Sequence, residues 1–386
     1  MKISIQNHLG YDNGEHWLLV NSPIFKRRYT VDCDIVMGCT IGCKFCYYRW
    51  VEGTDDLIGT GRTKALCSPN GLAEILEASK LVRKDKDGIM LCARSDGSIQ
   101  VKEIERFLKA YRYRNPIFVL HRGYLGAKQL EAFAWDERVI FSTTLTPKGR
   151  ELGWTPIAEV LQLKGIEYLL QEGISPRRIS VEVGPINEHN VDRAVEILKE
   201  LEKLGLEFAT YRGVSVGTFR LPSPEEGLKD IGFLTSQKHE APEGHAYYKI
   251  KNVLSEQLEE KIRTSVQRLR LHRFTGTLYR DEFGMDVAYN RNNRWRKELG
   301  MFEKADVDAL AGYIESLGLP VKGIDETPEG YFVRLKDEYC ATEDIAMTVG
   351  AEFNTCVLFD KYRPAPTMED LELYSGKGLI PSKGAD

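Results

Sequence analysis

The segment from Cys39 to Cys46 reads Cys-Thr-Ile-Gly-Cys-Lys-Phe-Cys, so Cys39, Cys43 and Cys46 form a C-x3-C-x2-C triplet. In a chain with 8 cysteines among 386 residues, composition alone would produce this spacing only ~0.003 times per chain. Three thiolates this close together can bind three irons of a cubane iron–sulfur cluster, each at its own iron. The fourth iron is then left for another ligand, and the triplet predicts an iron–sulfur site.

Other uses of clustered cysteines fit this segment less well. A structural zinc site needs four ligands, but no cysteine or histidine lies between Cys46 and Cys67. A ferredoxin would carry a fourth cysteine nearby, whereas this run continues as Tyr-Tyr-Arg-Trp. Disulfides are disfavoured because the amino terminus carries no secretion signal, from which we expect a reducing compartment.

The run from Gly38 to Tyr48, with an aromatic residue before the last cysteine, resembles the cluster motif of the radical S-adenosylmethionine (radical SAM) enzymes. Within that superfamily it is most similar to the branch of spore photoproduct lyase and the photolyase-like proteins. The resemblance implies that Cys39, Cys43 and Cys46 hold a [4Fe-4S] cluster whose open iron is chelated by S-adenosyl-L-methionine. It also implies that Phe45 lies near the adenine of that cofactor.

The activity that this resemblance implies is reductive cleavage of S-adenosylmethionine to a 5′-deoxyadenosyl radical, which removes a hydrogen atom from a substrate. An external one-electron donor of the flavodoxin or ferredoxin type would supply the electron. Cleavage, rearrangement, dehydrogenation and coupling all stay open as the step after hydrogen abstraction. The alternative from another class is an iron–sulfur electron-transfer or binding protein without turnover of its own, and the formation of 5′-deoxyadenosine separates the two.

The overall composition is that of a soluble globular protein, with 42% hydrophobic and 28% charged residues. No run of eighteen apolar residues occurs, so we expect no membrane partner and a cytoplasmic location. The formal net charge is only −4, so the charge of the whole chain gives no case for a nucleic-acid partner.

Short apolar runs alternate with helical patterns over the first 220 residues, as is typical of repeated βα units around a parallel sheet. We therefore predict an α/β fold, a partial (β/α)6 TIM-like barrel over residues 1–222, which is also the fold that the resemblance implies. A mixed α+β C-terminal extension over residues 223–374 is expected to cap the barrel, and residues 375–386 are expected to form a mobile tail. The six predicted strands are Thr30–Val36, Gly88–Ala93, Pro116–His121, Arg138–Thr144, Arg178–Gly184 and Leu206–Tyr211.

Polar residues near the ends of the predicted strands are candidates for binding the cofactor, because reactive groups of parallel barrels lie there. Ser95 and Asp96 could accept from the ammonium group of the cofactor, although the same pair also suits a turn with a helix N-cap. Ser142 and Glu182 lie within apolar strands. Glu182 is predicted to contact a ribose hydroxyl or the substrate, and a salt bridge to a neighbouring strand is the competing interpretation.

The other cysteines, at positions 33, 67, 92, 340 and 356, show no further clustered pairs. A lone buried cysteine is usually a small core residue, and whether any of them binds another cofactor is left open. Cys340, together with its neighbour Tyr339, and Cys92 are the candidates to quench a substrate radical, with Cys340 and Tyr339 assigned a catalytic role in the predicted capping segment.

A basic segment between residues 261 and 297 carries ten Lys and Arg residues against three Asp and Glu, interleaved with aromatic side chains. Such a mixture can neutralise phosphates and stack bases, and Arg294 and Arg296 are therefore candidate substrate-binding residues. The competing interpretation is a solvated face that pairs with acidic groups of the barrel. The substrate is thus either phosphorylated, a nucleotide or a nucleic acid, or else a small metabolite or peptide.

Overall fold

The computed structural model describes residues 23–26, 30–46, 57–213, 215–218, 236–240, 246–251, 254–273, 275–285, 304–327 and 330–361. The strands are β1 (Ile24–Lys26), β2 (Thr30–Cys33), β3 (Val36–Met37), β4 (Lys64–Ala65), β5 (Gly88–Leu91), β6 (Ile117–His121), β7 (Val139–Leu145), β8 (Ile179–Val183), β9 (Phe208–Tyr211), β10 (Ser215–Thr218), β11 (Ser236–Glu240), β12 (Ala246–Lys251), β13 (Arg270–His272), β14 (Val321–Thr327), β15 (Gly330–Leu335) and β16 (Val357–Phe359). The helices are α1 (Pro69–Ala78), α2 (Val101–Ala110), α3 (Ala127–Phe133), α4 (Glu159–Gln171), α5 (Val191–Lys203), α6 (Glu256–Arg263), α7 (Thr275–Phe283), α8 (Val307–Ser316) and α9 (Glu343–Glu352).

A central eight-stranded sheet in the order β1-β2-β5-β6-β7-β8-β9-β13 organises the molecule. Strand β1 is antiparallel to β2, and the other seven strands are parallel to one another. All six predicted strands are present in chain order, which confirms the α/β class. In the described part of the chain β13 is not bonded to β1, so the sheet is open there.

The seventh parallel strand, β13, is absent from the sequence prediction. Its three residues, Arg-Leu-His, carry no apolar run, and it forms because its backbone pairs with the exposed edge of β9. Two other predictions also need correction. The apolar spacing from Leu254 to Leu269 predicts one helix over this stretch, but α6 covers only Glu256–Arg263. Thr155-Pro156 predicts an N-cap and first helical residue, but α4 begins at Glu159 after Ala158.

The parallel sheet buries both of its faces. On the outer face, the side chains of the strands form one large core with helices α1 to α5. On the inner face, Met90, Phe118, Ile140 and Phe208 pack against Leu278, Tyr279, Phe283 and Met285 of α7 and the residues after it. The ring of Phe118 lies 4.6 Å from that of Tyr279 and 5.1 Å from that of Phe283. Helix α7 thus fills the half of the inner face that is closer to the amino ends of the strands.

The C-terminal part of the chain, here the described residues between 304 and 361, has its own three-stranded sheet, β14-β15-β16, packed with α8 and α9. The sequence predicts a helix near Asp306–Leu317 that ends at Gly318, and helix α8 agrees with it, with Asp306 as its N-cap and Gly318 at φ +86° beyond its end. Glu352 at the end of α9 accepts from Arg83 and Lys86, which precede β5. These described contacts place the C-terminal part at the amino ends of the parallel strands.

The run Ser-Pro-Glu-Glu at 223–226 predicts a capping box, which lies outside the described residues, as do Arg294, Arg296 and the tail from residue 375. Within the described residues, no helix is both long and apolar enough to cross a membrane.

Candidate active site

A cavity of about 300 Å³ opens at the carboxyl ends of the parallel strands. This is the lower end of the range of about 300–1,000 Å³ that small-molecule sites occupy. All eight residues predicted to bind the cluster or the cofactor line it, namely Cys39, Cys43, Cys46, Phe45, Ser95, Asp96, Ser142 and Glu182. Further residues that were not predicted to bind the cofactor also line it, including Cys92, Arg94, His121, Arg122, Thr144, Ser180, Thr210, Arg212, Thr275, Leu278 and Tyr279.

The cysteine loop is held in place by two glycines and by backbone hydrogen bonds. Gly38 has φ +115°, and a Cβ there would lie 2.7 Å from the carbonyl oxygen of Arg62, so only glycine fits. Its N–H donates to the carbonyl of Arg94 at 3.1 Å. Gly42 also has a positive φ, of 73°, between the first two cysteines. The chain can therefore turn sharply enough to present all three cysteines to one cavity.

The three cysteines of the triplet are free thiols that influence one another. The pKa of Cys39 is raised to about 12, mainly by burial and to a smaller extent by the nearby Asp96, Cys46 and Cys43, against a hydrogen bond from the N–H of Ile41. Bringing three thiolates together is thus costly in this cavity unless a cation compensates their charge. A cationic iron cluster would supply that compensation.

No three His, Cys, Asp or Glu side chains among the described residues are arranged to hold a single metal ion. A single zinc ion would draw its sulfur ligands to about 2.3 Å from one centre.

A buried ion pair supports the floor of the cavity beside the cysteine loop. Arg94 Nε lies 2.9 Å from Asp34 Oδ2, and both side chains are almost fully buried. Burial raises the pKa of Asp34 to about 6, against the opposing effect of Arg94. The hydroxyl of Ser95 donates to Asp34 at 3.0 Å and accepts from Gln100 at 2.6 Å. Ser95 is thus committed to this network, although it also lines the cavity.

Asp96 joins two neighbouring loops. One carboxylate oxygen accepts from the backbone N–H and the hydroxyl of Ser98, at 2.9 and 2.5 Å. The other accepts from the backbone N–H groups of Arg122 and Gly123, at 2.5 and 3.3 Å. Asp96 therefore acts as the N-cap of a turn, which is the alternative to cofactor binding. All four hydrogen bonds go to its carboxylate oxygens.

The far wall of the cavity consists of polar side chains on the inner face of the sheet. Ser142, Ser180, Glu182 and Thr210 stand on β7, β8 and β9, nearer the carboxyl ends than the apolar residues that contact α7. Glu182 Oε1 lies 2.8 Å from Arg212 Nη2. The competing interpretation of Glu182, a salt bridge to a neighbouring strand, is thus what the structure contains. Since the pair lines the cavity and Arg212 is 55% exposed, it is accessible to a ligand.

Arg122 connects the wall of the cavity with the cysteine loop. The carbon of its guanidinium lies 4.8 Å from the centre of the Phe45 ring, and Nη1 donates to Thr146 Oγ1 at 2.8 Å. Arg122 and Arg212 each follow the last residue of a parallel strand. That position is the signal which could have identified them from the sequence, because groups there face the site of a parallel barrel.

Two further buried groups lie at the cavity. His121 is 2% exposed and packs near Phe133 and Phe141. Neither ring nitrogen has a hydrogen-bond partner among the described residues, and burial lowers the pKa of His121 to about 4, only partly offset by Asp96. Cys92 is also buried, at φ +64°, with Gln100 Nε2 3.8 Å from its sulfur. Burial raises the pKa of Cys92 well above its usual value, so this thiol keeps its hydrogen atom.

The predicted catalytic pair does not join this cavity. Tyr339 and Cys340 are half-buried in the turn after β15, where Tyr339 N–H donates to the carbonyl of Lys336. They belong to the C-terminal part, whose described contacts with the sheet lie at the opposite ends of the strands. The structure therefore separates these residues from the cysteine triplet.

A larger hollow, of about 820 Å³, lies at the amino ends of the strands. Two of its arginines, Arg138 and Arg178, have a structural role, because they donate to six backbone carbonyls between them. It contains none of the cysteines. The smaller cavity is therefore the better candidate site on chemical grounds.

The sequence matches no known protein-family model and no curated protein. Among solved structures, the chain is similar to Streptococcus suis SuiB bound to S-adenosylmethionine, with a TM-score of 0.43 and 11% identity over 65% of this chain and 52% of that chain. The structure of the same protein bound to the precursor peptide SuiA gives a TM-score of 0.42 and 10% identity over 66% of this chain and 52% of that chain. The chain thus spans about half the length of these SuiB structures.

Proposed function

We propose that this protein is a radical SAM enzyme. The observation that carries the proposal is the opening of the C-x3-C-x2-C triplet into a cavity at the carboxyl ends of a parallel sheet, opposite a wall of polar side chains. When bound, a [4Fe-4S] cluster with S-adenosylmethionine would supply one-electron cleavage of the cofactor and a 5′-deoxyadenosyl radical for hydrogen abstraction. An electron carrier would need no such cavity beside its cluster, which favours the enzyme over the electron-transfer alternative.

The residues present fit a cluster held by three cysteines. Each thiolate of a cubane binds its own iron, so Cys39, Cys43 and Cys46 need not converge on one point. The N–H of Ile41 already points to the sulfur of Cys39, as is common for sulfurs that carry negative charge. Cys39, Cys43 and Cys46 would hold the cluster, while Gly38 and Gly42 fix the loop.

The remaining residues of the cavity would bind and enclose the organic ligands. Phe45 and Arg122 offer a flat ring and a cation beside the cluster loop, which suits an adenine or a carboxylate. The hydroxyls of Ser142, Ser180 and Thr210, with Glu182, can hydrogen-bond to sugar hydroxyls. The apolar contacts of Leu278 and Tyr279 with the inner face of the sheet exclude water on the side of the cavity nearer the amino ends of the strands. Exclusion of water protects a reactive radical.

The decisive experiment is anaerobic reconstitution with iron and sulfide, followed by dithionite and S-adenosylmethionine. We expect a [4Fe-4S] spectrum by electron paramagnetic resonance (EPR) and the formation of 5′-deoxyadenosine and methionine. The Glu182→Gln variant should assemble the cluster and bind the cofactor or substrate more weakly. A cluster that assembles without any 5′-deoxyadenosine, in the presence of candidate substrates, would favour an electron carrier instead.

For the substrate, we propose the phosphorylated or nucleic-acid class that the likeness to the photolyase-like branch implies, with the electron supplied by a flavodoxin- or ferredoxin-type donor. Binding of an oligonucleotide should then weaken steeply with salt, and replacing Arg294 and Arg296 together by alanine should weaken it further. Binding that is insensitive to salt, or no binding at low salt, would favour a small unphosphorylated metabolite or a peptide.

A further inference from the structure

The hydroxyl of Thr155 lies against one sulfur of the cysteine triplet. Cys43 Sγ is 3.4 Å from Thr155 Oγ1, although the two residues are 112 positions apart in the chain. Both are buried, with exposed fractions of 6% for Cys43 and 4% for Thr155. Water therefore does not compete for this contact, and a hydrogen bond to a charged group is stronger in such surroundings.

The segment that carries Thr155 is fixed to the cysteine loop by the backbone as well. Lys44 N–H, next to Cys43, donates to the carbonyl of Trp154 at 2.8 Å, and Trp154 N–H donates to the carbonyl of Gly149 at 2.7 Å. Trp154 is itself buried. Backbone hydrogen bonds on either side of the Cys43–Thr155 contact thus keep the hydroxyl beside the sulfur, in addition to side-chain packing.

The hydrogen-bonding capacity of Thr155 leaves a donor for the sulfur. In the described structure Oγ1 accepts from the thiol of Cys43 and from the N–H of Ile157 at 3.3 Å. A hydroxyl has one donor and two acceptor positions. When Cys43 binds iron it loses the thiol proton to solvent, so the hydroxyl of Thr155 can turn its own proton towards the thiolate while Oγ1 still accepts from Ile157.

We propose that Thr155 donates a hydrogen bond to the Cys43 thiolate of the cluster and thereby raises the reduction potential of that cluster. Hydrogen bonds to cluster sulfurs stabilise the more negative, reduced form and so set the potential. Thr155 is a positioning and tuning residue rather than a catalytic one, since it reaches the reaction only through Cys43. The inference rests on the proposed function, because it requires the cluster to be bound.

The test is an EPR-monitored redox titration of the anaerobically reconstituted full chain without substrate. Thr155→Val keeps the size of the side chain and removes the hydroxyl, and should shift the one-electron equilibrium about tenfold towards the oxidised cluster, which is about 59 mV. Thr155→Ala should shift it in the same direction. Thr155→Ser restores the hydroxyl and should return the potential close to that of the wild type. Thr143→Val is the matched control, since Thr143 is buried on β7 and its hydroxyl has no partner among the described residues.

Equal potentials for the wild type and Thr155→Val would overturn the inference while leaving the proposed function intact. A shift in Thr155→Ser as large as that in Thr155→Val would also overturn it, since the hydroxyl would then not be the cause. Failure of both Thr155→Val and Thr155→Ala to assemble a cluster would count against it, because a tuning hydroxyl is not required for assembly. If the wild type itself assembles no cluster, the proposed function fails together with the inference.

Discussion

At the scale of single residues, the proposed chemistry rests on the cysteine triplet, all of whose members line the cavity. Replacing Cys39, Cys43 or Cys46 by alanine should abolish the cubane, because two local thiolates cannot hold three irons. Cys340→Ala is the matched control, since Cys340 does not line the cavity. Iron and sulfide content and the visible charge-transfer band are measured on each variant, and full occupancy in any of the three would refute the ligand assignment.

A second prediction at this scale concerns Cys92, which lines the cavity and retains its hydrogen atom. If it quenches a substrate radical, Cys92→Ala should assemble the normal cluster and form 5′-deoxyadenosine while the product changes or turnover stalls. Products are identified by mass spectrometry, with Cys340→Ala in parallel. Unchanged products and rates in Cys92→Ala would leave Cys92 as a small core residue.

The buried imidazole of His121 predicts how the protein without a cluster responds to acid. Burial lowers the pKa of His121 from 6.5 to about 4, so between these values the unfolded chain binds a proton that the folded chain does not. The free energy of unfolding should therefore fall as the pH drops through this range, by up to about 1.4 kcal/mol per pH unit from this group. Urea unfolding at several pH values measures the slope.

The matched variant is His121→Leu, which cannot take up a proton. Its slope between pH 6.5 and about 4 should be smaller than that of the wild type by the contribution of His121. Identical slopes would show that His121 is not the group that titrates.

At the scale of secondary-structure elements, helix α7 closes the inner face of the sheet and forms part of the cavity at the same time. Leu278 is 1% exposed and packs among the inner residues of the sheet. Leu278→Ala should lower the free energy of unfolding by about 2–5 kcal/mol, the usual cost of a cavity in a packed core. Leu161→Ala on α4, where Leu161 is 44% exposed, should change it by no more than about 0.5 kcal/mol.

The position of α7 also follows from charged groups at its end. Glu282 accepts from Arg270 and contacts His272 at 2.8 Å, both on β13. The helix and the seventh strand thus stabilise each other, and neither is evident from the local sequence.

Comparable losses of stability in Leu278→Ala and Leu161→Ala would mean that α7 does not pack on the sheet in this way.

At the scale of the whole molecule, the C-terminal part and the cavity lie at opposite ends of the parallel strands. Binding of a cluster should therefore protect the loops that line the cavity and the segment before α4 that is hydrogen-bonded to the cysteine loop. Removal of iron by a chelator should expose them, because a ligand stabilises the states that bind it. In hydrogen exchange followed by mass spectrometry we expect the change in residues 39–46, 94–98, 122–126 and 146–155. Residues 304–361 should exchange alike with and without iron, and a change centred there would contradict this arrangement.

The spacing of the three candidate cluster ligands and the class of the fold are local properties, and the sequence alone determined them. The spacing of Cys39, Cys43 and Cys46 needs only a short loop, and the six apolar strands need only their own composition. Caps such as Ser68, which accepts from Gly71, are equally local. These features could be predicted because every residue that matters lies within a few positions of the others.

The tertiary structure alone decided which distant groups meet at the site. Thr155 has the sequence signature of a helix N-cap, yet the helix begins later and its hydroxyl meets Cys43. Glu182 finds its partner in Arg212, the residue after β9, and α7 rather than residues 304–361 contributes to the cavity. No local pattern encodes such contacts, because they arise from the order of strands in the sheet and from the competition of many segments for the same buried surface.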